Sequence, residues 1–535
     1  MKKYYMFDHR ITTAENAKLV YGNIEKKRTD IFWIDQYARI AETQIPDWEH
    51  RISILYPYVL YEENGVGING GIARYKLWYH SWQSGSIDWV KNIVDQANSN
   101  NIDLGEAVNK ARGNIYPGDH AVCYMESEDG IRWTRPNCGE FFYKTSEGSI
   151  IDTNIVFIGN HGPGVSFNLH PDKTREPQFL LAAAAEDTPD KGVAISRSQD
   201  GIHWERPFTV KSGKTTDTNM MADTHNQIIW SPELGRYVVT SRGWVGERVI
   251  VQFTSKDQFA VSENAVLPQN EYEYYYKENE RNWEEPEITV QRTMNAQPYS
   301  MPIARISEGY YLGVVSVADF DKNTKGKFQS VHAELMWSYD AVHWFDILGG
   351  TPFIANADSF AFEPGNDYGM IYSAAPVITE DETKFFYAAL PEPHYFSFDQ
   401  IPKPIVDGMK SYAPHAVVAQ AITRSTSLNF ASIKNDKIVG YYSKNGTIRM
   451  GPVDISGDSV MIVSEIPHGG RISVAFLDSD GIPLDGFSHS DFMGLSKEGY
   501  IIWKPHERSR VMQLPRTIVE IRLFDATVFA VITAC

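Results

Sequence analysis

Along most of the chain, short apolar strands alternate with polar turns in a recurring rhythm. The clearest instance opens with Asp223-Thr224-His225-Asn226 and runs into the apolar stretch Gln227-Ile228-Ile229-Trp230. A turn over Ser231–Gly235 leads to a second strand ending at Arg242-Gly243-Trp244, and a third, Arg248–Thr254, runs into Ser255-Lys256-Asp257. Strands of this length, bounded by Gly, Pro, Asp and Ser, predict an antiparallel three-stranded meander. The same unit is predicted at Ile54–Tyr61, Tyr75–His80 and His120–Met125, and again at Asp152–Phe157 and Phe179–Ala185 with its close at Ser198. It recurs at Tyr299–Ile303, Tyr310–Val317 and a close at Ser338, and last at Asp367–Tyr372, Lys384–Leu390 and His415–Thr423. An insert at about Ser86–Arg112 carries Ile87, Val90, Ile93 and Val94 at helical spacing, which predicts a helical excursion on a rim. Residues 1–50 read as an irregular lead-in, with strand-like pieces at Met6-Phe7 and Ile31–Ile34 laid across the first meander.

A turn motif punctuates the meanders: Ser127-x-Asp129, Ser198-x-Asp200, Ser255-x-Asp257 and Ser338-x-Asp340. Trp133, Trp204 and Trp344 stand four residues after three of these Asp residues. Ser and Asp side chains cap the amides of a tight turn, Gly takes the positive φ, and the Trp packs back on the sheet. These Asp residues are therefore read as turn staples. Five meanders, none able to bury both faces alone, are best satisfied by radial packing. The predicted fold is all-β, a five-bladed β-propeller over 51–432 followed by a C-terminal β-sandwich over 433–535. The sandwich rests on strand alternation in Ser459–Val463, Arg471–Leu477, Gly499–Trp503, Thr517–Leu523 and Thr527–Ile532.

Composition narrows the partners. A formal charge of -18 spread along 535 residues argues against nucleic acid and anionic membranes. Aromatic residues make up 13% of the chain, which suits a β-rich protein with an aromatic-lined surface. The expected partner is a carbohydrate substrate; homo-oligomers are left open. Cys123, Cys138 and Cys535 form no metal pattern, and buried unpaired thiols are expected over a Cys123–Cys138 bridge. Met1–Arg10 lacks the apolar core of a signal peptide, so a cytoplasmic location is expected, or a secreted or periplasmic one if a leader was removed. No cofactor is predicted; a structural Ca²⁺ in the channel is left open. The Gly-rich run Gly159-Asn160-His161-Gly162-Pro163-Gly164 precedes no helix and is not read as a phosphate loop. The aromatic, acidic stretch Glu271–Glu287 reads as a rim loop or a sugar-binding lip.

The Ser-x-Asp-Gly-x-x-Trp turns, the count of meanders and the trailing sandwich resemble the five-bladed propeller glycoside hydrolases of the invertase (family 32) and arabinanase (family 43) types. Asp223-Thr-His-Asn, Tyr299-Ser-Met-Pro and the Tyr75–His80 strand look like an uncharacterised branch of that group. The resemblance implies glycosidase chemistry from carboxylates at one mouth of the channel. It departs at the first blade, where the named families place an Asp and this chain reads Ile54-Leu55-Tyr56-Pro57, which argues against fructans.

In a propeller the starts of the innermost strands converge. The converging residues are then Tyr56, Asp152 and Asn154, Asp223, His225 and Asn226, Tyr299 and Met301, and Asp367. Glycoside hydrolysis generally needs two carboxyl groups. Asp223 and Asp367 are the expected charged pair, with Glu363 as acid and Asp152 as a further candidate. His225, Asn226, Arg242, Trp244, Tyr299, His80, Trp82 and His120 are the expected substrate-binding residues, Arg242 suited to an acidic sugar and Trp244 to a sugar face. Three functions fit: an exo-acting glycoside hydrolase on plant or algal glycans, a non-catalytic carbohydrate-binding propeller, or a propeller lyase using His and Tyr.

Overall fold

A computed structural model describes residues 1–33, 55–82, 120–144, 150–158, 161–172, 178–184, 192–205, 207–211, 219–220, 222–255, 287–320, 328–359, 365–396, 426–457, 459–489, 493–494, 500–503 and 512–534, together with positions 46, 48, 49 and 284. Among these the protein is all-β, with no helix, and propeller-like. The expected helical insert at 86–112 and the lip at 271–283 lie outside the described residues.

The first meander is a sheet of Leu55–Tyr61, Tyr75–Trp82, His120–Ser127 and Ile155–Ile158 in that spatial order. The second runs His161–Phe167, Phe179–Ala184, Gly192–Ser198, Phe208–Lys211. The third is built on Gln227–Ser231, Arg236–Trp244, Arg248–Ser255 and Glu287–Val290. The remaining two meanders form one eleven-stranded sheet, joined at the parallel bridge between Val331 and Met370.

Two expectations are corrected here. The strand after Asp152 is not the inner strand of the second sheet: Ile155–Ile158 pairs with His120–Ser127 as the outer strand of the first. His161–Phe167 takes the inner place instead, because Gly162 and Gly164 let it run against residues 223–226. In the last meander the strand pairing with Glu382–Leu390 is Thr426–Lys434. The expected strand at 415–423 lies outside the described residues.

Alternation along each middle strand explains the packing, since successive side chains point to opposite faces. Trp78 faces Phe179 and Leu181 of the second sheet, while Leu77 and Tyr79 face Phe386, Leu428 and Phe430 of the fifth. Tyr237 and Val239 meet Leu180 and Ile195; Val238 meets Tyr311 and Val315. Leu312 and Val314 meet Phe385 and Tyr387. Each of these middle strands is thus buried on both faces by the neighbouring meanders. Truncating one of these aromatics to Ala would cost about 3–5 kcal/mol.

The Ser-x-Asp turns behave as local chemistry dictates. Asp129 Oδ1 accepts the N–H groups of Ile131 and Arg132 at 2.8 Å, and Gly130 N–H donates to Ser127 Oγ at 2.8 Å. Asp200 and Asp340 repeat the pattern, Ala341 taking the positive φ (76°) that Gly201 takes in the second sheet.

The lead-in divides its strands. Glu25–Trp33 pairs with Thr426–Lys434, and its Ile31 packs among Val59, Tyr75 and Leu77 of the first sheet. Lys2–Tyr5, Thr12–Glu15 and Lys18–Tyr21 pair instead with Ala526–Ala534, Gly446–Gly457 and Val439–Ser443. These strands belong to two further sheets, which enclose a shared core of Ile448, Ile472, Phe476, Ile521, Val460 and Val528. Cys123 and Cys138 are buried and free, and no described helix is long and apolar enough to cross a membrane.

Candidate functional site

At the entrances of the inner strands the meanders bring together a group of aromatic rings, imidazoles and guanidiniums. Tyr56 lies at its middle. Its ring centroid is 4.9 Å from that of His225, 5.4 Å from His161, 5.4 Å from Tyr372 and 5.8 Å from His80. Tyr372 continues to Tyr299 at 5.1 Å, and the Tyr299 hydroxyl meets His394 Nε2 at 3.3 Å. His80 Nε2 and His120 Nδ1 share a hydrogen bond at 2.9 Å. All five meanders contribute to the group.

Backbone geometry shows how the ring aims these side chains. Tyr56, Ala222 and His225 all have positive φ, at 48°, 45° and 46°. Non-Gly residues adopt this conformation at a cost and cluster at functional sites. Gly162 and Gly164 supply the close approach: a Cβ on Gly162 would lie 2.8 Å from Asp223 O, and one on Gly164 only 1.9 Å from Asn226 O. That contact sets His161 against the loop carrying Asp223 and His225.

The sequence candidates divide clearly. Asp223 is here, ion-paired through Oδ2 with Arg242 Nη2 and 3.6 Å from His161 Nδ1 through Oδ1. His225, Arg242, Tyr299, His80 and His120 belong to the group. Trp244 ends its strand as an exposed cross-strand neighbour of Arg248. Trp82 pairs with His120 in the ladder, while its side chain is outside the described residues. Asn226 is fully spent on the fold: its amide donates to Gly162 O and Ala222 O, and its Oδ1 accepts from Ser241 Oγ.

The expected convergence fails for two carboxylates. Asp152 ends the strand Ile150–Asp152 of a separate two-stranded sheet with Phe142–Lys144, where its Oδ1 accepts the Gly139 N–H at 2.9 Å, and the strand that follows it, Ile155–Ile158, is an outer one. Asn154, beside it, donates to the Tyr79 hydroxyl and Tyr124 O within the first sheet. Asp367 is buried but held by Lys26 Nζ at 2.8 Å, Tyr387 Oη at 2.9 Å and the Ala357 N–H at 2.9 Å. None of these partners belongs to the Tyr/His group, and Lys26 comes from the outermost strand of the fifth meander. Glu363 lies outside the described residues. Reading from the sequence also missed His161, Tyr372, His394 and Arg248. For His161 the signal was present: a histidine inside a run of glycines marks a backbone pressed against something.

Electrostatics follow from burial and charge. Burial, reinforced by His161, pushes the His225 imidazole down to about 3. His80 is held well below the ordinary range by burial and by its His161 and His120 neighbours. Both rings are therefore neutral at physiological pH. Burial drives Tyr56 upward, followed by the neighbouring Tyr299. Tyr299 moves the other way: burial opposes its ionisation, yet the Arg242 guanidinium, hydrogen bonds with Tyr56 and Tyr372, and Arg248 together hold it below the ordinary tyrosine range. Arg242 Cζ lies 4.6 Å, and Arg248 Cζ 5.4 Å, from the Tyr299 ring centroid. Both nitrogens of His225 and Arg242 Nη1 are buried with no partner among the described residues. A buried polar atom without a partner costs about 1–3 kcal/mol, so these atoms mark where a ligand would be satisfied. No group of described residues is arranged to hold a metal ion.

No family model matches the chain, and no curated protein matches it. Its structure is similar to solved structures of glycoside hydrolases. One is a glycosidase from Bacteroides thetaiotaomicron, at 12% identity and TM-score 0.40, covering 69% of this chain and 94% of the other. A second comes from work describing glycoside hydrolases in the GH130 family of mannoside phosphorylases, at 11% identity and TM-score 0.37 over 69% and 91%. A third is the family 32 β-fructofuranosidase of Bombyx mori, at 10% identity and TM-score 0.36 over 96% and 94%.

Proposed function

We propose that the protein hydrolyses glycosidic bonds at the Tyr/His/Arg group, with Tyr299 in the place a second carboxylate usually fills. We further read the ring of sheets as a five-bladed propeller over 51–432 and residues 433–535 as a sandwich, joined by the first N-terminal strands. The observation that carries the catalytic reading is Tyr299 itself, held ionisable by Arg242 and Arg248 beneath the only carboxylate of the described group, Asp223.

Two carboxyl groups are the general solution, but a tyrosine nucleophile is a known exception. The Tyr299 phenolate attacks the anomeric carbon as the bond to the leaving oxygen breaks. That oxygen takes a proton from His161, whose imidazolium is stabilised by Asp223. Neutral His161 then removes a proton from the water that displaces Tyr299, restoring both groups. The substrates proposed are plant or algal oligosaccharides, attacked from a chain end.

A second reading is β-elimination, favoured by the two guanidiniums and the neutral imidazoles: the phenolate would take a proton α to a sugar carboxylate, the bond from the β carbon to the departing oxygen would break, and that oxygen would take the proton back from the Tyr299 hydroxyl so formed. Product analysis on a panel of plant and algal oligosaccharides separates the two. Hydrolysis yields a new reducing end carrying oxygen from labelled water; elimination yields an unsaturated product absorbing in the ultraviolet. Full turnover by Tyr299→Phe would reject both.

A further inference from the structure

The guanidiniums of the group are not fully partnered. Arg242 and Arg248 bring two guanidiniums, and among the described residues Asp223 is the one carboxylate ion-paired with either. Glu247, next to Arg248 in the chain, accepts from Gln291 Nε2 at 2.7 Å. Among the described residues the Arg248 guanidinium donates to Gln297 Oε1 through Nη1 at 3.1 Å, and its Nε has no partner there. Arg242, nine-tenths buried, keeps Nη1 unpartnered as well. N–H groups of both guanidiniums are thus left over beside Tyr299.

The same corner carries an aromatic face. Trp244 is 37% exposed and stands across the ladder from Arg248, whose Cζ lies 5.9 Å from its ring. Asp223, at 32% side-chain exposure, opens on the same side through its pair with Arg242. An aromatic ring beside two half-satisfied guanidiniums is what a sugar with an anionic substituent needs: the ring stacks on the indole and the anion fills the free N–H groups.

We propose that Trp244, Arg248 and Arg242 form a subsite for a uronosyl residue, its ring on Trp244 and its carboxylate between the two guanidiniums. The assignment rests on the cleavage reading only in placing the sugar beside Tyr299; the subsite itself is a binding claim. A planar carboxylate matches guanidinium N–H groups in number and geometry.

Binding is measured on the full chain carrying Tyr299→Phe, by calorimetry, with oligosaccharides of glucuronate, galacturonate, mannuronate and iduronate and with the carboxyl-reduced form of each. At least one uronate ligand is expected to bind about tenfold more tightly than its reduced counterpart. Arg248→Gln in that background is expected to bring the ratio close to one with an unchanged melting temperature, and Trp244→Ala to weaken both ligands alike. Equal or tighter binding of every reduced form overturns the proposal, as does a preference that survives Arg248→Gln. Tighter binding of a sulfated neutral sugar than of any uronate overturns the carboxylate assignment. Uronate binding without cleavage by the unmodified protein would sink the catalytic reading and leave this one standing. Cleavage of neutral glycans alone would do the reverse.

Discussion

The Arg242 guanidinium covers Tyr299, its Cζ 4.6 Å from the ring centroid, while the same guanidinium pairs with Asp223. One arginine therefore orients the carboxylate and stabilises the phenolate. Removing it should affect the two differently. In Arg242→Gln the ionisation of Tyr299 returns toward its ordinary value, so the rate should rise at higher pH than in the unmodified protein. A profile of kcat/KM against pH checks this, and an unmoved limb would mean that Tyr299 does not titrate in the reaction.

Tyr299→Phe removes one hydroxyl from a buried network that includes Tyr56, Tyr372 and His394. Loss of the hydrogen bond should cost on the order of 1 kcal/mol of stability. Turnover should fall by about a hundredfold or more, the range for removing a proton-transferring or nucleophilic group. Single-turnover rates together with thermal denaturation separate the two effects.

His225 predicts an acid sensitivity. Its ring is neutral in the folded protein down to about 3, whereas the unfolded ring takes up a proton near 6.5. Between these values the unfolded state binds the extra proton, so stability falls as pH drops through that window, by about 1.4 kcal/mol per pH unit for one group. His225→Asn, which tolerates the positive φ, should flatten that decline by roughly one proton's share. His80 shifts in the same direction, so a part of the slope should persist. Denaturant titrations at several pH values measure it.

The rhythm of the sheets was legible because its signal is local. Ser127, Asp129 and Gly130 satisfy one another within four residues, and an observer needs no other part of the chain to read the turn. Alternation along Arg236–Trp244 and Tyr310–Phe320 was legible for the same reason. The inner strand of the second sheet was not. Both 155–158 and 161–167 read as strands, and only pairing with His120–Ser127, far back in the chain, decides which is outer. Asp367 was misplaced in the same manner, since its partners Lys26 and Tyr387 are distant in sequence. Asp223, His225 and Tyr299 were found because each opens an inner strand that was correctly identified.

Gly162 and Gly164 yield a prediction about positioning. Gly162 has φ of 57° and would press a Cβ on Asp223 O and Thr224 Cα; Gly164 would press one on Asn226 O and the Tyr58 hydroxyl. The obstructing atoms are largely backbone and cannot turn aside. Gly164→Ala should destabilise by a few kcal/mol, as overpacking does. Gly162→Ala should add backbone strain of about 1–3 kcal/mol and move His161 from Asp223, lowering kcat more than it raises KM. Substitution of Gly235, which also has positive φ but has open space around its Cβ, should leave activity unchanged.

Asp367→Asn tests whether the second carboxylate of the resemblance is needed. Its oxygens accept from Lys26, Tyr387 and Ala357, three donors for one carboxylate. An amide has one acceptor oxygen, so at least one of the three donors is left without a partner or facing an N–H group. Lys26 is 35% exposed and can turn to water, whereas the Tyr387 hydroxyl is buried. The cost should therefore be about 1–3 kcal/mol, set by the groups that cannot escape. Because Asp367 ties Lys26 of the strand Glu25–Trp33 to Tyr387 and Ala357 of the last two meanders and does not meet the Tyr/His group, turnover per folded molecule should stay near that of the unmodified protein. Asp223→Asn should do the opposite, leaving the melting temperature near its starting value and abolishing turnover. If Asp367→Asn abolishes turnover at unchanged stability, a carboxylate pair does the chemistry and Tyr299 does not.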